Sequence, residues 1–163
     1  MNQDNSEAPL ITIEPKLMGP DDTRVTVYAD NDGSGGIRWS HKNEDHDNGG
    51  KLKLGKDKNY KVTFNLVDRT SPSRKIRFDA SEPIFVKQGS GGSCPRAMDT
   101  DQILVDSCDA KKLVAIDWNY GVPCELHYQL NFVDEAGGPI PPYDPIIENG
   151  GGGTKPTIFI INS

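Results

Sequence analysis

The sequence contains an Asp-Pro peptide bond at Asp144–Pro145, a linkage that is unusually open to intramolecular attack. The Asp144 carboxylate lies one carbon from its own backbone carbonyl and can attack it through a five-membered ring. Most Asp-X bonds react instead through the next backbone N–H to give a succinimide, but proline has no N–H. The proline nitrogen also belongs to a tertiary amide with a weakened trans preference. These residue types therefore predict cleavage between Asp144 and Pro145, with Asp144 as the nucleophile or as the group that holds a water.

The same dipeptide is also ordinary turn chemistry. The chain has 12 Pro and 17 Asp among 163 residues, and this composition yields about one Asp-Pro pair by chance. Asp-Pro pairs initiate turns, and Asp144–Pro145 follows the Gly- and Pro-rich segment 137–142. A structural turn at this point is therefore the alternative to a reactive bond.

A second candidate site is the segment Asp30–Ile37, which matches the first eight positions of an EF-hand calcium loop. Oxygen-bearing side chains stand at positions 1, 3 and 5, which are Asp30, Asp32 and Ser34, and a glycine stands at position 6. The twelfth position is His41, where that loop requires a bidentate Glu, and the flanking segments read as strands. A hairpin turn rich in Asp, Asn and Gly explains the same residues, so we predict no calcium site here.

No other cluster predicts a cofactor or a metal. The acidic segment Glu44–Asp47 and the nearby His41 could contact a divalent ion, but a solvated polar stretch lacks the rigid elements that metal ligands need. His127 has no sequence-evident Ser or Cys partner. The glycine-rich stretches around Gly91 and Gly151 precede no helix, so neither is a phosphate-binding loop.

Composition limits the class of partner. The net charge of −6 and the sequence pI near 5.0 argue against a nucleic acid or an acidic membrane surface. No apolar run reaches the length that spans a membrane. The three cysteines, Cys94, Cys108 and Cys124, have neither a disulfide pattern nor metal-type spacing. We therefore predict reduced thiols and a cytoplasmic location.

The hydrophobic pattern is almost entirely that of short strands separated by turn residues. Alternation is clearest at Asn59–Asp68 and Cys124–Val133, where every second residue is apolar. We also predict strands at Leu10–Ile13, Arg24–Ala29, Ile37–Ser40, Lys75–Phe78, Pro83–Val86, Lys112–Trp118 and Thr157–Asn162. Gln102–Val105 fits a strand or one helical turn. In Lys112–Trp118 we expect Val114, Ile116 and Trp118 to point inward.

This spacing of strands predicts one domain over residues 1–163, an all-β, two-sheet antiparallel sandwich with immunoglobulin-like Greek-key connections. Residues 1–8 are expected to be disordered. Residues 41–58 are expected to form a long polar loop with a short strand at Lys51–Leu54, and residues 150–156 a Gly-rich loop before the last strand.

The segments Ile13–Pro15 and Asp144–Gly150 resemble the DP-EP family of small bacterial β-sandwich proteins, over about residues 10–150. The resemblance implies self-cleavage at the Asp-Pro bond, assisted by a carboxylate-held water, with the released C-terminal piece kept in the sandwich. Asp144 and Pro145 carry over position by position. Asp117 and Asp134 are the candidates for the assisting carboxylate.

Two functions therefore remain open. The first is a self-processing β-sandwich that cleaves Asp144–Pro145, so that its own C-terminal fragment is a partner. The second is a non-catalytic binding or assembly module in which the pair is only a turn. In either case the last strand, Thr157–Asn162, could pair within the domain or join another subunit's sheet edge to give a homo-oligomer.

Overall fold

The computed structural model describes residues 10–12, 21–45, 50–89, 98–153 and 158–160, and every regular element among them is a β-strand. In chain order the strands are β1 (Leu10–Thr12), β2 (Asp21–Asn31), β3 (Ile37–Asn43), β4 (Leu52–Lys53), β5 (Tyr60–Asp68), β6 (Arg77–Phe78), β7 (Ile84–Gln88), β8 (Met98–Asp99), β9 (Ile103–Cys108), β10 (Lys112–Asp117), β11 (Cys124–Val133), β12 (Pro139–Tyr143), β13 (Ile146–Asn149) and β14 (Ile158–Ile160). Two large sheets enclose one apolar core, which confirms the predicted all-β sandwich.

The first sheet has five strands in the order β3-β2-β5-β10-β9. β2 and β3 form the predicted hairpin, in which Ala29 pairs with Trp39. β2 and β5 are parallel, with Val25 opposite Phe64. This sheet is therefore mixed, because the chain leaves it to form β4 and returns in the same direction as β2, whereas its other strand pairs are antiparallel.

The second sheet has the order β4-β13-β11-β7-β8. β12 pairs with β11 on the same side as β13, and β6 pairs with β11 on the same side as β7. The pairs β4–β13 and β7–β8 are parallel. β14 pairs with β1 inside the chain as a separate two-stranded sheet. The Greek-key connections stay a prediction.

The core lies between β5 and β11, whose alternation is as predicted. Tyr60, Val62, Phe64 and Leu66 of β5 are buried, as are Leu126, Tyr128, Leu130 and Phe132 of β11. The rings of Phe64 and Tyr128 meet across the sandwich with centroids 5.4 Å apart. Each such side chain contributes roughly 1.5–3 kcal/mol of burial, so these two strands make a large contribution to the packing of the two sheets.

β10 has the opposite phase to the one predicted. Leu113 and Ala115 join the main core, whereas Val114 is half-buried and Ile116 is buried outside the core cluster. Asp117 follows in the same alternation and is fully buried. Both faces of β10 contain buried residues. The positions of its apolar residues therefore do not show which face points into the core.

The segment predicted as a long polar loop at residues 41–58 is partly strand. β3 continues through His41 to Asn43, where His41 pairs with Val27 and Asn43 pairs with Val25. Asn43 is buried, so tertiary pairing overrides its turn propensity. The expected short strand is confirmed as β4 at Leu52–Lys53.

The described part of the Gly-rich segment, 150–153, is packed against other backbone and is not an open loop. A side chain at Gly150 would stand 2.6 Å from the Gly55 carbonyl oxygen, and one at Gly151 2.6 Å from the Gly121 carbonyl oxygen. Gly153 forms an isolated parallel bridge with Tyr120. Glycine is therefore required here for close approach of chains, beyond its conformational freedom.

Some predictions fall on residues outside the described ranges. They are the disorder of residues 1–8, the loop at residues 154–156, the reduced thiol of Cys94 and the ends of the Thr157–Asn162 strand. Across the described residues no helix is long and apolar enough to cross a membrane.

Candidate active site

Asp144 and Pro145 interrupt what would otherwise be one long strand beside β11. β12 ends at Tyr143, which is opposite Leu130, and β13 begins at Ile146, which is opposite His127. Proline has no N–H for the ladder. The Pro145 carbonyl instead accepts a hydrogen bond from the Tyr128 N–H at 3.1 Å.

The two residues differ in exposure. The Asp144 side chain is exposed, whereas Pro145 is buried. Since β12 and β13 both pair with β11, the chain is fixed on either side of the break. The Asp144–Pro145 bond is thus accessible to water at the acid and anchored at the proline.

The residue before Asp144 is held by an aromatic cluster at the open edge of the sandwich. The Tyr143 ring lies 6.0 Å from the Trp39 ring, centroid to centroid, and its hydroxyl lies 2.6 Å from His41 Nδ1. His41 Nε2 lies 2.8 Å from the Gly50 carbonyl oxygen. A carbonyl only accepts, so His41 Nε2 donates to it, and in the neutral ring Nδ1 accepts from Tyr143. Burial raises the pKa of Tyr143, which keeps this hydroxyl a donor.

Neither candidate for the assisting carboxylate reaches the Asp144–Pro145 bond. Asp134 caps its own turn by accepting from the N–H groups of Ala136 at 2.9 Å and Gly138 at 2.8 Å. Asp117 bonds to Asn149, which lies five residues beyond Asp144 along β13. Five extended residues span roughly 17 Å, so Asp117 belongs to a different site.

Asp117 lies in a buried polar cluster that joins the two sheets. Its Oδ1 accepts from Asn149 Nδ2 at 2.8 Å and from the Asn119 N–H at 2.9 Å. Burial raises the pKa of the Asp117 carboxyl to about 7, although these two donors act in the opposite direction. β10 belongs to the first sheet and β13 to the second. The hydrogen bond between Asp117 and Asn149 therefore joins the two sheets at one end of the sandwich.

Gln102 and Asn119 complete this cluster. Gln102 spans the Tyr120 backbone, with Nε2 donating to the carbonyl at 3.0 Å and Oε1 accepting from the N–H at 3.1 Å. Asn119 Nδ2 donates to the Gly55 carbonyl at 2.7 Å, and Asn119 Oδ1 accepts from the Gly151 N–H at 2.8 Å. The cluster thus holds Gly151 of the Gly-rich segment together with the backbone at Gly55 and Tyr120.

The thiol beside this cluster is not activated. Cys124 pairs with Asn149 in the ladder between β11 and β13. Burial, and then the neighbouring Asp117, raise the pKa of Cys124. A thiol needs a lowered pKa to act as a nucleophile near neutral pH. Both Cys108 and Cys124 are free.

The acidic groups of the Asp30–Ile37 segment have structural partners. Asp30 forms a bidentate pair with Arg69, at 3.0 Å to Nε and 2.7 Å to Nη2. Asp32 accepts from the N–H groups of Ser34 and Gly36 at 2.7 and 2.9 Å, and these bonds, with that of the Ser34 hydroxyl, lower the pKa of Asp32. Asp32 therefore stabilises the hairpin turn, and Asp30 joins the hairpin to the residue that follows β5.

We expect added calcium to leave the melting temperature unchanged, because Asp30 would have to release Arg69 to bind it. Melting curves measured with millimolar calcium and with chelator should superimpose. A ligand that binds only the folded state raises its stability in proportion to the logarithm of its concentration. A calcium-dependent rise in melting temperature would therefore show that the loop binds the ion.

Sequence reasoning proposed Asp144 and Pro145 as site residues, which stays a prediction, and it missed the groups around them and the second cluster. His41 and Tyr143 are 102 residues apart, and Gln102, Asp117, Asn119 and Asn149 come from three separate segments. The one available signal was an acidic residue, Asp117, at the end of a strand that is otherwise mostly apolar, although the predicted phase placed it outward. In the described part of the chain, no three His, Cys, Asp or Glu side chains are grouped to hold a metal. No family model matches the chain, and no curated protein matches it.

Proposed function

We propose that this protein cleaves its own backbone between Asp144 and Pro145. The observation that supports the proposal is the position of this bond in the break between β12 and β13. The acid there is exposed to water, while the proline is buried and its carbonyl is held by Tyr128. A bond fixed on both sides and accessible at its acid has the features that intramolecular attack requires.

The reaction needs only the peptide and one water. A carboxylate oxygen of Asp144 attacks the carbonyl carbon of the same residue and forms a five-membered cyclic anhydride. The C–N bond breaks, its electron pair goes to the Pro145 nitrogen, and that nitrogen takes a proton from solvent. Water then opens the anhydride and leaves a free carboxylate at the new C-terminus. The net change is hydrolysis of one amide.

The C-terminal piece is expected to stay bound after cleavage. It would begin with β13, which pairs with β11 on one side and with β4 on the other. Ile147 is buried, and Asn149 bonds across the sandwich to Asp117. Ladder hydrogen bonds contribute roughly 1 kcal/mol each, and burial of Ile147 contributes roughly 1.5–3 kcal/mol. The two pieces should therefore separate only on denaturation.

We expect folded protein, aged at pH 6–8, to yield pieces ending at Asp144 and beginning at Pro145. Intact mass under denaturing conditions measures them, and gel filtration under native conditions tests whether they stay together. Asp144→Ala should abolish cleavage because the nucleophile is gone. Pro145→Ala should slow it, because an ordinary secondary amide replaces the tertiary one.

Three controls make the test specific. Asp106→Ala removes an exposed acid on β9 and should cleave like wild type. The Glu82–Pro83 bond also joins an exposed acid to a buried proline, but its longer side chain needs a six-membered ring, so it should stay intact. Urea-unfolded chain should cleave far more slowly. A single intact mass after ageing, or cleavage of Asp144→Ala at the wild-type rate, would contradict the proposal.

A non-catalytic binding or assembly module is the second candidate. The observation that favours it is that Asp144–Pro145 also has a plain structural role, because it ends β12 and lets the chain resume as β13. A proline at such a break needs no chemical explanation. Protein that keeps a single mass under all the conditions above supports this function.

A further inference from the structure

Two oxygen atoms in the buried cluster have no hydrogen-bond partner among the described residues. They are Asp117 Oδ2 and Asn149 Oδ1, and both belong to side chains already joined by the 2.8 Å bond from Asn149 Nδ2 to Asp117 Oδ1. Unpartnered buried polar atoms are rare because each one loses its hydration without compensation. A carboxyl and an amide that share one hydrogen bond and each retain an unpaired oxygen call for a single explanation.

We propose that Asp117 carries a proton in the folded protein and donates it from Oδ2 to Asn149 Oδ1, which closes a cyclic acid–amide pair. The two groups then exchange two hydrogen bonds, N–H to carbonyl in one direction and O–H to carbonyl in the other. An ionised carboxyl cannot do this, because it accepts only. One proton therefore satisfies both orphan oxygens.

The surroundings of Asp117 contain no described cation that would favour its ionised form. Asn119, Asn149 and Gln102 are neutral. The backbone carbonyl of Lys58 accepts a hydrogen bond from Asn119. The Lys58 ammonium instead donates to Asp21 Oδ2 at 2.9 Å. A buried carboxylate without a positive partner is strongly disfavoured.

The other titratable groups on the neighbouring elements include acids, a thiol, phenols and Lys61 of β5, which stands opposite Ile116. Tyr60 stands opposite Asp117 on β5, and its hydroxyl accepts from the Gly55 N–H at 2.7 Å. Cys124 lies on β11 and is neutral at ordinary pH. Glu148 of β13 pairs with Lys51 at 3.6 Å on the surface. The remaining groups are Asp101, which accepts from the Tyr120 hydroxyl, and Asp57, beside Gly152.

The consequence is a proton-dependent link between the two sheets. Loss of the proton removes the bond to Asn149 Oδ1 and leaves an unpaired charge between β10 and β13. The Gly-rich segment 150–153 follows Asn149 directly and depends on the same cluster through Asn119. Above neutral pH this end of the sandwich should therefore loosen first, whether or not Asp144–Pro145 is cleaved.

The test is a pH titration of wild-type protein by NMR, with the carboxyl carbons of Asp and the side-chain amides of Asn observed together. We expect the Asp117 carboxyl carbon to titrate with a midpoint near pH 7, roughly three pH units above an ordinary Asp. The Asn149 side-chain amide should shift with the same midpoint, because it shares the proton.

Asp117→Asn provides the matched comparison, since two amides can form the same cyclic pair without a titrating proton. The Asn149 shift near pH 7 should be lost in this variant. The wild-type titration decides the question even if the variant does not fold. An Asp117 midpoint below pH 5, or an Asn149 amide that does not respond to the Asp117 titration, would overturn the proposal.

Discussion

Raising the pH from 5 to 8 is expected to destabilise the folded protein by roughly 2.5 kcal/mol through Asp117 alone. Burial raises the pKa of Asp117 from 3.8 to about 7, so the folded state holds the proton more tightly than the unfolded state. Stability from this group is present below pH 4 and falls as the pH rises towards 7. Chemical denaturation at each pH measures the effect as a lower midpoint.

Asp117→Asn isolates this contribution because asparagine has the same shape and does not titrate. The difference between wild type and variant should grow from pH 5 to pH 8, with the variant gaining relative to wild type. Asp106→Asn, an exposed position on β9, should follow the wild-type curve. A wild-type-minus-variant difference that is constant across this range would show that Asp117 is ionised in the folded protein at pH 5.

Gly151→Ala is expected to cost roughly 3 kcal/mol or more of folding stability. Gly151 has φ +85°, where a side chain is strained by about 1–2 kcal/mol. Its Cβ would also stand 2.6 Å from the Gly121 carbonyl oxygen and 2.9 Å from the Pro123 nitrogen. Backbone atoms cannot rotate away as a side chain can, and overpacking of this kind adds roughly 1–3 kcal/mol.

The Gly137→Ala variant measures the cost of the positive φ alone, without the steric overlap that a Cβ at Gly151 would make. Gly137 also has φ +85°, but a Cβ there meets nothing within 4 Å. This variant should lose only about 1–2 kcal/mol, so the two denaturation midpoints should differ clearly. Equal losses of folding stability in the two variants would mean that the backbone around Gly151 moves to accommodate a Cβ. The Gly-rich segment would then be less tightly packed than the contacts indicate.

The fold was predictable to the extent that strands bury one face. β5 and β11 alternate between apolar and polar residues over most of their length, and both were located with their inward faces correct. β10 was located, but its phase was wrong because buried residues lie on both of its faces. The parallel pairing of β2 with β5 left no trace in local composition, since it depends on where the chain runs between them.

The candidate sites divide in the same way. Asp144–Pro145 could be proposed from the sequence because the chemistry expected of it lies within two adjacent residues. Asp117 was named for a role at Asp144, but pairing along β13 places it beside Asn149 at the far end of that strand. Gln102 and Asn119 meet it only through tertiary packing, which no spacing in the sequence encodes.

The pairing of β4 with β13 also bears on how the chain folds. Leu52 lies opposite Ile147, about 95 residues later in the sequence, and among the described strands β4 pairs with β13 alone. Joining segments so distant requires closure of a long loop before any contact compensates for the lost chain entropy. Proteins dominated by such non-local pairing fold in milliseconds to seconds. The rate at which β4 pairs with β13 is therefore limited by the encounter of distant segments. The β2–β3 hairpin is local and can form before that encounter.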